Sequence, residues 1–152
     1  MTLVGIQGGG TTARTALTRA LVGEMKARGQ SVSVIAYAGA TTEIDIPGKD
    51  SYEHRRAGAR EVLAVSRLRW ALVHESTSPA CPDMTELLAR LDPVDIVFTS
   101  GFSDEADIQI ELRDAGEKVN ASHTGASQTS FDLDRIEQIA TFILTPPPEK
   151  HP

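Results

Sequence analysis

A short β-type run from Thr2 to Gln7 stops at three consecutive glycines, Gly8-Gly9-Gly10, and this junction constrains the chain more than any other feature. Beyond it Leu17, Leu21 and Met25 recur at every fourth position, with Ala20 alongside. That spacing predicts a helix from about Ala13 to Arg28. Gly29 stands where a helix C-terminus is expected. Ser31 to Tyr37, with Val32, Val34 and Ile35, reads as the next strand. Strand, glycine turn, helix, strand is a βαβ unit, and it commits the chain to a parallel sheet.

The remaining elements follow from the same kind of reading. A polar, turn-rich stretch from Ala38 ends in Pro47-Gly48-Lys49-Asp50, after which Asp50 or Ser51 can cap a short helix running to about Ala59. Glu61 to Val65 and Trp70 to His74 are two short apolar runs separated by Arg67-Leu68-Arg69, the layout of an antiparallel hairpin or of adjacent strands at a sheet edge. Leu87, Leu88 and Leu91 mark a helix, Val94 to Phe98 a buried strand, and Asp107 to Leu112 and Glu117 to Ala121 two more strands. A last helix is expected from near Asp132, presenting Leu133, Ile136, Ile139, Ala140 and Ile143, and stopped by Pro146-Pro147-Pro148. The expectation is one three-layer α/β domain over 1–145. Its central sheet is mostly parallel with helices on both faces and an antiparallel hairpin at the edge, and a disordered tail follows over 146–152.

Composition narrows the function. Aromatic residues make up only 5% of the 152, so the core rests on Leu, Ile, Val and Ala, which suits parallel strands under helices. A net charge of −6 argues against nucleic acid as a main partner, leaving only a local basic patch as a route to one. No run approaches the ~18 apolar residues of a membrane span, and nothing reads as a signal peptide, so a cytoplasmic protein with no membrane partner is expected. Cys81, the single cysteine, lies in a proline-flanked loop and reads as an incidental thiol. His54, His74, His123 and His151 are scattered without ligand spacing, so no metal site is built from them.

The glycine turn is an anion-binding geometry, because glycines expose backbone N–H groups and a helix N-terminus adds about half a positive charge. Against G-x-x-x-x-G-K-[ST], the string Gly8, Gly9, Gly10, Thr11, Thr12, Ala13, Arg14, Thr15 keeps the first glycine and the final hydroxyl. Ala13 replaces the second glycine and Arg14 the lysine; a planar guanidinium keeps the charge but not the compact ammonium. Thr15 remains a weak candidate ligand for Mg²⁺. A flexible turn with Arg14 exposed on the first helical turn explains the string equally well.

Elsewhere the core strand ends in Thr99-Ser100-Gly101 with no carboxylate at its tip, where a P-loop enzyme needs an acid for Mg²⁺. Asp95 lies early in that strand and reads as structural, and Asp104, Glu105 and Asp107 read as a solvated acidic turn. In the polar loop Asp45 offers a metal-shell acid and Lys49 a cation for an anionic ligand, although a turn capping the next helix explains the same residues. Asp50 and His54, four apart, can pair on one helical face beside Arg55 and Arg56. No Ser/His/Asp set emerges, and no catalytic residue is assigned.

The stretch from Asp45 through Pro47-Gly48-Lys49-Asp50-Ser51 and His54-Arg55 to Ala57-Gly58-Ala59 resembles the D-x-P-G-K-D-S-x-x-H-R-x-A-G-A motif of the MobB family. That family comprises P-loop GTP-binding proteins of molybdopterin-guanine dinucleotide biosynthesis. Arg69-Trp70-Ala71-Leu72, Leu91-Asp92-Pro93-Val94-Asp95 and Phe131 to Ile136 follow in register, so the resemblance spans the chain. It implies the P-loop fold, GTP and Mg²⁺ or a molybdopterin-type cofactor as ligand, and a homodimer. It also implies a partnership with the guanylyltransferase of that pathway or with a molybdoenzyme.

Three departures qualify this. The family's G-x-S-G-S-G-K-T-T loop carries Ala13 and Arg14 here, its lysine- and histidine-rich stretch reads Ala36-Tyr37-Ala38-Gly39-Ala40, and its V-E-G-[FY]-K reads Thr99-Ser100-Gly101-Phe102-Ser103. The expectation is therefore an accessory protein that binds a nucleotide or the cofactor pyrophosphate at Gly8–Thr15, with Ser100 and Gly101 nearby, and without efficient GTP hydrolysis. A non-catalytic carrier for the cofactor or another oxyanion, and a structural subunit paired with an intact P-loop partner, stand as alternatives.

Overall fold

A computed structural model of the chain describes residues 1–102, 105–113 and 117–147. Asp104, His151 and residues 148–152 of the expected tail lie outside them. The elements run β1 (Thr2–Gly8), α1 (Thr11–Ala27), β2 (Val32–Ala36), α2 (Asp50–Arg56), β3 (Glu61–Val65) and β4 (Trp70–His74). They continue with α3 (Met84–Leu88), β5 (Ile96–Ser100), β6 (Ile108–Arg113), β7 (Lys118–His123), β8 (Thr129–Asp132) and α4 (Ile136–Leu144). Contacts divide them into two compact units: Met1–Tyr37 with the chain from Met84 onward, and Ala38–Asp83.

The larger unit is a six-stranded sheet in the order β2-β5-β1-β6-β7-β8. β1 pairs in parallel with β5 and β6, and β2 with β5, whereas β7 and β8 run antiparallel at the far edge. The main core lies on one face, where Leu17, Leu21 and Met25 of α1 and Ile139, Ala140 and Ile143 of α4 pack on Val4, Ile6, Phe98, Ile108 and Ile110. A smaller cluster of Leu3, Val97 and Met84, with Leu88 and Leu91, covers the other face at β1 and β5. Being covered on both sides, β5 is apolar without alternation: Ile96, Val97 and Phe98 are all buried. Each such side chain contributes about 1.5–3 kcal/mol by leaving water.

Side-chain clasps fix the ends of these elements. α1 closes in a full Schellman turn: Gly29, at φ +78°, donates its N–H to Lys26 O and Gln30 donates to Met25 O. Arg28 then bridges to α4, donating to Thr141 Oγ1 at 2.9 Å and to Glu137 O at 2.8 Å. Asp95 is structural as expected, accepting the Ser31 backbone N–H at 2.8 Å and its hydroxyl at 2.6 Å.

Several boundaries differ from the sequence reading. The last helix starts at Ile136, because Phe131 pairs with Val119 and makes 129–132 a strand, and the Leu133 N–H donates to Glu117 O. The spacing of Leu133 and Ile136 mimics a helical face only because both side chains reach the same core. α3 is a single turn, and α2 stops at Arg56.

In the smaller unit β3 and β4 form the expected antiparallel hairpin, but as a sheet of their own rather than an edge of the main one. Leu63 faces Leu72 and Val65 faces Trp70 in its register. All four are exposed, as is Leu68 in the turn. Among the described residues no helix is long and apolar enough to cross a membrane.

Candidate functional site

Two of the three glycines are required by the sheet itself. Gly8 ends β1 at φ +72°, and a Cβ there would lie 2.5 Å from the carbonyl oxygen of Leu112 on β6. Gly9 follows at φ +56°, where a Cβ would meet Leu112 Cβ at 3.2 Å. Gly10 is different: it is extended at φ −90°, stands at the N-cap of α1, and has open space around it. The glycines thus let β1 end against β6 and turn at once into a helix, which is why α1 starts at Thr11 rather than Ala13.

That turn leaves the positive end of a 17-residue helix uncapped. Gly10, the N-cap, supplies no side-chain cap, and no residue of the first turn is acidic. The N–H groups of Thr11, Thr12 and Ala13 precede the first helical bond, which runs from Arg14 N to Gly10 O. Thr11, Thr12 and Thr15 are exposed; Arg14 is not left in solvent. Its Nη1 donates to the carbonyls of Gly8 and Gly9, at 3.2 Å each, and Nη2 reaches Thr11 Oγ1 at 3.4 Å. Among the described residues its Nε is buried without an acceptor. A guanidinium therefore sits inside the turn, placing full positive charge beside the helix dipole.

The three sequence departures come together at this end of the sheet. Ala36 and Ile6 both pair with Ser100, and Gly101 donates its N–H to Ile6 O at 3.3 Å. Tyr37 donates its N–H to Ser100 O, its ring meets Phe102 edge-on, and its Cβ lies where a side chain on Gly101 would have to go. The carboxyl ends of β1, β2 and β5 thus carry hydroxyl, glycine and aromatic groups around the turn. In open α/β sheets ligands settle at such carboxyl ends.

Two acids at either end of β6 make contacts the sequence did not disclose. Asp107 is exposed but also accepts the Leu3 N–H at 2.8 Å, so it ties the amino end of β6 to that of β1, at the end of the sheet away from the glycine turn. Glu111 passes with its Cγ beside Gly8 and pairs with Arg113 at 3.1 Å. Asp107 stands immediately before an apolar strand, which was the available signal; Glu111 became visible only once β6 was placed in register with β1.

In the smaller unit the family-like stretch is held by its own charges. Asp45 Oδ1 accepts the Ile46 N–H and the Ser51 hydroxyl. Arg55, only 15% exposed in its side chain, bonds Glu43 at 2.8 Å and Glu75 at 3.1 Å and lies 3.6 Å from Asp45. Hydrogen bonding from Glu75, then Glu43, holds the guanidinium above its ordinary pKa, while the Asp45 N–H and Arg55 hold Glu43 below the usual carboxylate range. Arg55 also lies over the Tyr52 ring. Neither Asp50 nor Ser51 caps α2: Lys49 is the N-cap, without a side-chain bond, because Ser51 is turned to Asp45. Among the described residues Asp50 and His54 form no ion pair; both are exposed, as is Lys49.

Comparison with known proteins agrees with this architecture. Residues 1–130 match the family model for molybdopterin guanine dinucleotide synthesis protein B, MobB. The molybdopterin-guanine dinucleotide biosynthesis adapter protein of Escherichia coli is 35% identical over 150 residues, covering 88% of this chain and 86% of that protein. Its Haemophilus influenzae namesake is 31% identical over 154 residues, covering 93% and 86%. A crystal structure of molybdopterin-guanine biosynthesis protein B superposes with a TM-score of 0.68 at 22% identity, covering 93% of this chain and 97% of that one. The Bacillus subtilis MobB structure gives 0.58 at 18%, covering 73% and 67%. At such identities the two structures attest the fold. The family model and the two sequence relatives together place this chain in the MobB family.

Proposed function

We propose that the chain is an accessory protein of molybdopterin guanine dinucleotide biosynthesis. Its Gly8–Thr15 turn holds the phosphate oxygens of a nucleotide such as GTP, or the pyrophosphate of the dinucleotide cofactor, with little or no hydrolysis. The observation that carries this reading is the uncapped start of α1 with Arg14 folded into the turn beside it. Backbone N–H groups, a helix dipole and a guanidinium favour an oxyanion. Hydrolysis requires more, namely groups that order a metal ion and position a water. Ala36, Tyr37, Ser100 and Gly101 at the adjoining strand ends supply hydroxyl and aromatic surface instead.

The names borne by the relatives support an adapter working with enzymes of this pathway; the family resemblance makes the guanylyltransferase the expected one. The exposed apolar face of the hairpin, with Leu63, Val65, Trp70 and Leu72, supports association into a homodimer. A carrier of the finished cofactor is the second reading, favoured by the missing hydrolytic groups. Equilibrium titration with GTP and with pyrophosphate, followed by phosphate-release assays, tests the central claim. Binding with negligible turnover is expected, and a chain that binds neither anion at millimolar concentration rejects it. A pterin co-purifying from the native host would decide for the carrier.

A further inference from the structure

We infer that the Gly8–Thr15 turn takes its oxyanion without a divalent cation, with Arg14 as the counter-charge; this rests on the phosphate-binding reading above. A P-loop fold implies Mg²⁺ beside the phosphates, and the residues present do not fit it. Mg²⁺ demands an octahedron of oxygens, with one or two carboxylates among its protein ligands. Among the described residues no group of three His, Cys, Asp or Glu side chains could hold a metal ion. At this end of the sheet the described residues offer hydroxyls, those of Thr11, Thr12, Thr15 and Ser100, and Glu111, beside Gly8, is engaged by Arg113.

The turn also carries its own cation. With Nη1 on the carbonyls of Gly8 and Gly9, the guanidinium stands within the turn as a counter-charge for an anion. Its Nε, among the described residues, is a buried donor without an acceptor, an arrangement that costs stability. The Nε and Nη2 edge of an arginine matches two oxygens of a tetrahedral anion, which a lysine ammonium does not. The ligand class is a phosphate- or pyrophosphate-type group in its metal-free form.

The test is calorimetric titration of the full chain with pyrophosphate, once in EDTA and once with Mg²⁺ at matched free pyrophosphate, repeated for Arg14→Gln and Arg14→Lys. The expected result is equal or weaker binding with Mg²⁺, and a loss of about tenfold or more for Arg14→Gln in both buffers. Arg14→Lys keeps the charge and controls for a misfolded turn; it is expected to bind more weakly than wild type but more tightly than Arg14→Gln. Binding that appears only with Mg²⁺, or tightens about tenfold with it, overturns the inference while leaving the phosphate-binding reading intact. So does unchanged affinity in Arg14→Gln. Absence of binding in every buffer removes both.

Discussion

Replacing the three glycines one at a time separates what the turn does for the fold from what it does for a ligand. Gly8→Ala forces a side chain into the left-handed region, a strain of about 1–2 kcal/mol. Its Cβ would also sit 2.5 Å from Leu112 O, a backbone atom held in the β1–β6 ladder, so the strand must shift. Overpacking of this kind adds about 1–3 kcal/mol. The sum, roughly 3 kcal/mol, lowers the melting temperature by roughly 10 °C in a chain of this size. Gly9→Ala suffers the same backbone strain but meets only side chains, those of Leu112 and Ala13, and is expected to lose about 1–2 kcal/mol. Gly10→Ala, at negative φ in open space, gives up only an N-cap preference, less than about 1 kcal/mol. Urea and thermal unfolding in phosphate-free buffer should rank the losses Gly8, Gly9, Gly10. A Gly8→Ala variant within about 0.5 kcal/mol of wild type, or a Gly10→Ala variant as damaged as Gly8→Ala, refutes the assignment of Gly8 to the sheet.

Three further outcomes follow from particular contacts. Gly29→Ala, strained at φ +78° but meeting no neighbour, should cost about 1 kcal/mol in urea unfolding, and a neutral result would remove the Schellman turn from the account. The Ser31 hydroxyl, then its N–H, holds the Asp95 carboxyl below its ordinary value of 3.8; that stability is present above 3.8 and is lost as pH falls through the lowered folded value. In Ser31→Ala a carboxyl NMR titration should move Asp95 back upward, and an unmoved titration contradicts the stated cause. Arg55→Ala, and equally Arg55→Lys, should speed hydrogen exchange at residues 43–56, because an ammonium cannot serve three carboxylates in fork geometry. Full protection in Arg55→Lys would show that charge alone suffices.

The sequence announced the βαβ start plainly, since glycines and a fourfold apolar repeat are local signals. The buried run of β5 was equally legible. What it concealed was long-range: the Val119–Phe131 pairing that turns 129–132 into a strand has no local signature, and Leu133 and Ile136 keep helical spacing either way. The turn itself shows the same division. Ala13, Arg14, Ala36 and Ser100 stood out as departures from a motif, but that Arg14 bonds the carbonyls of its own turn follows from geometry no spacing encodes. Likewise Arg55 read as part of a basic cluster, and its engagement with Glu43, Asp45 and Glu75 depends on a hairpin bringing Glu75 back.

The pairing of β1 has a consequence for how the chain acquires its shape. Thr2 waits for Ile96, and Val4 for Ile108, so neither neighbour of β1 exists until the chain has been made as far as β5. Through that interval β1 and the apolar face of α1 must be shielded by partial collapse, whereas β3 and β4 can close locally across a four-residue turn. The glycine turn, made before either neighbour of β1, is therefore among the last parts to become rigid, when β6 arrives and Leu112 settles against Gly8.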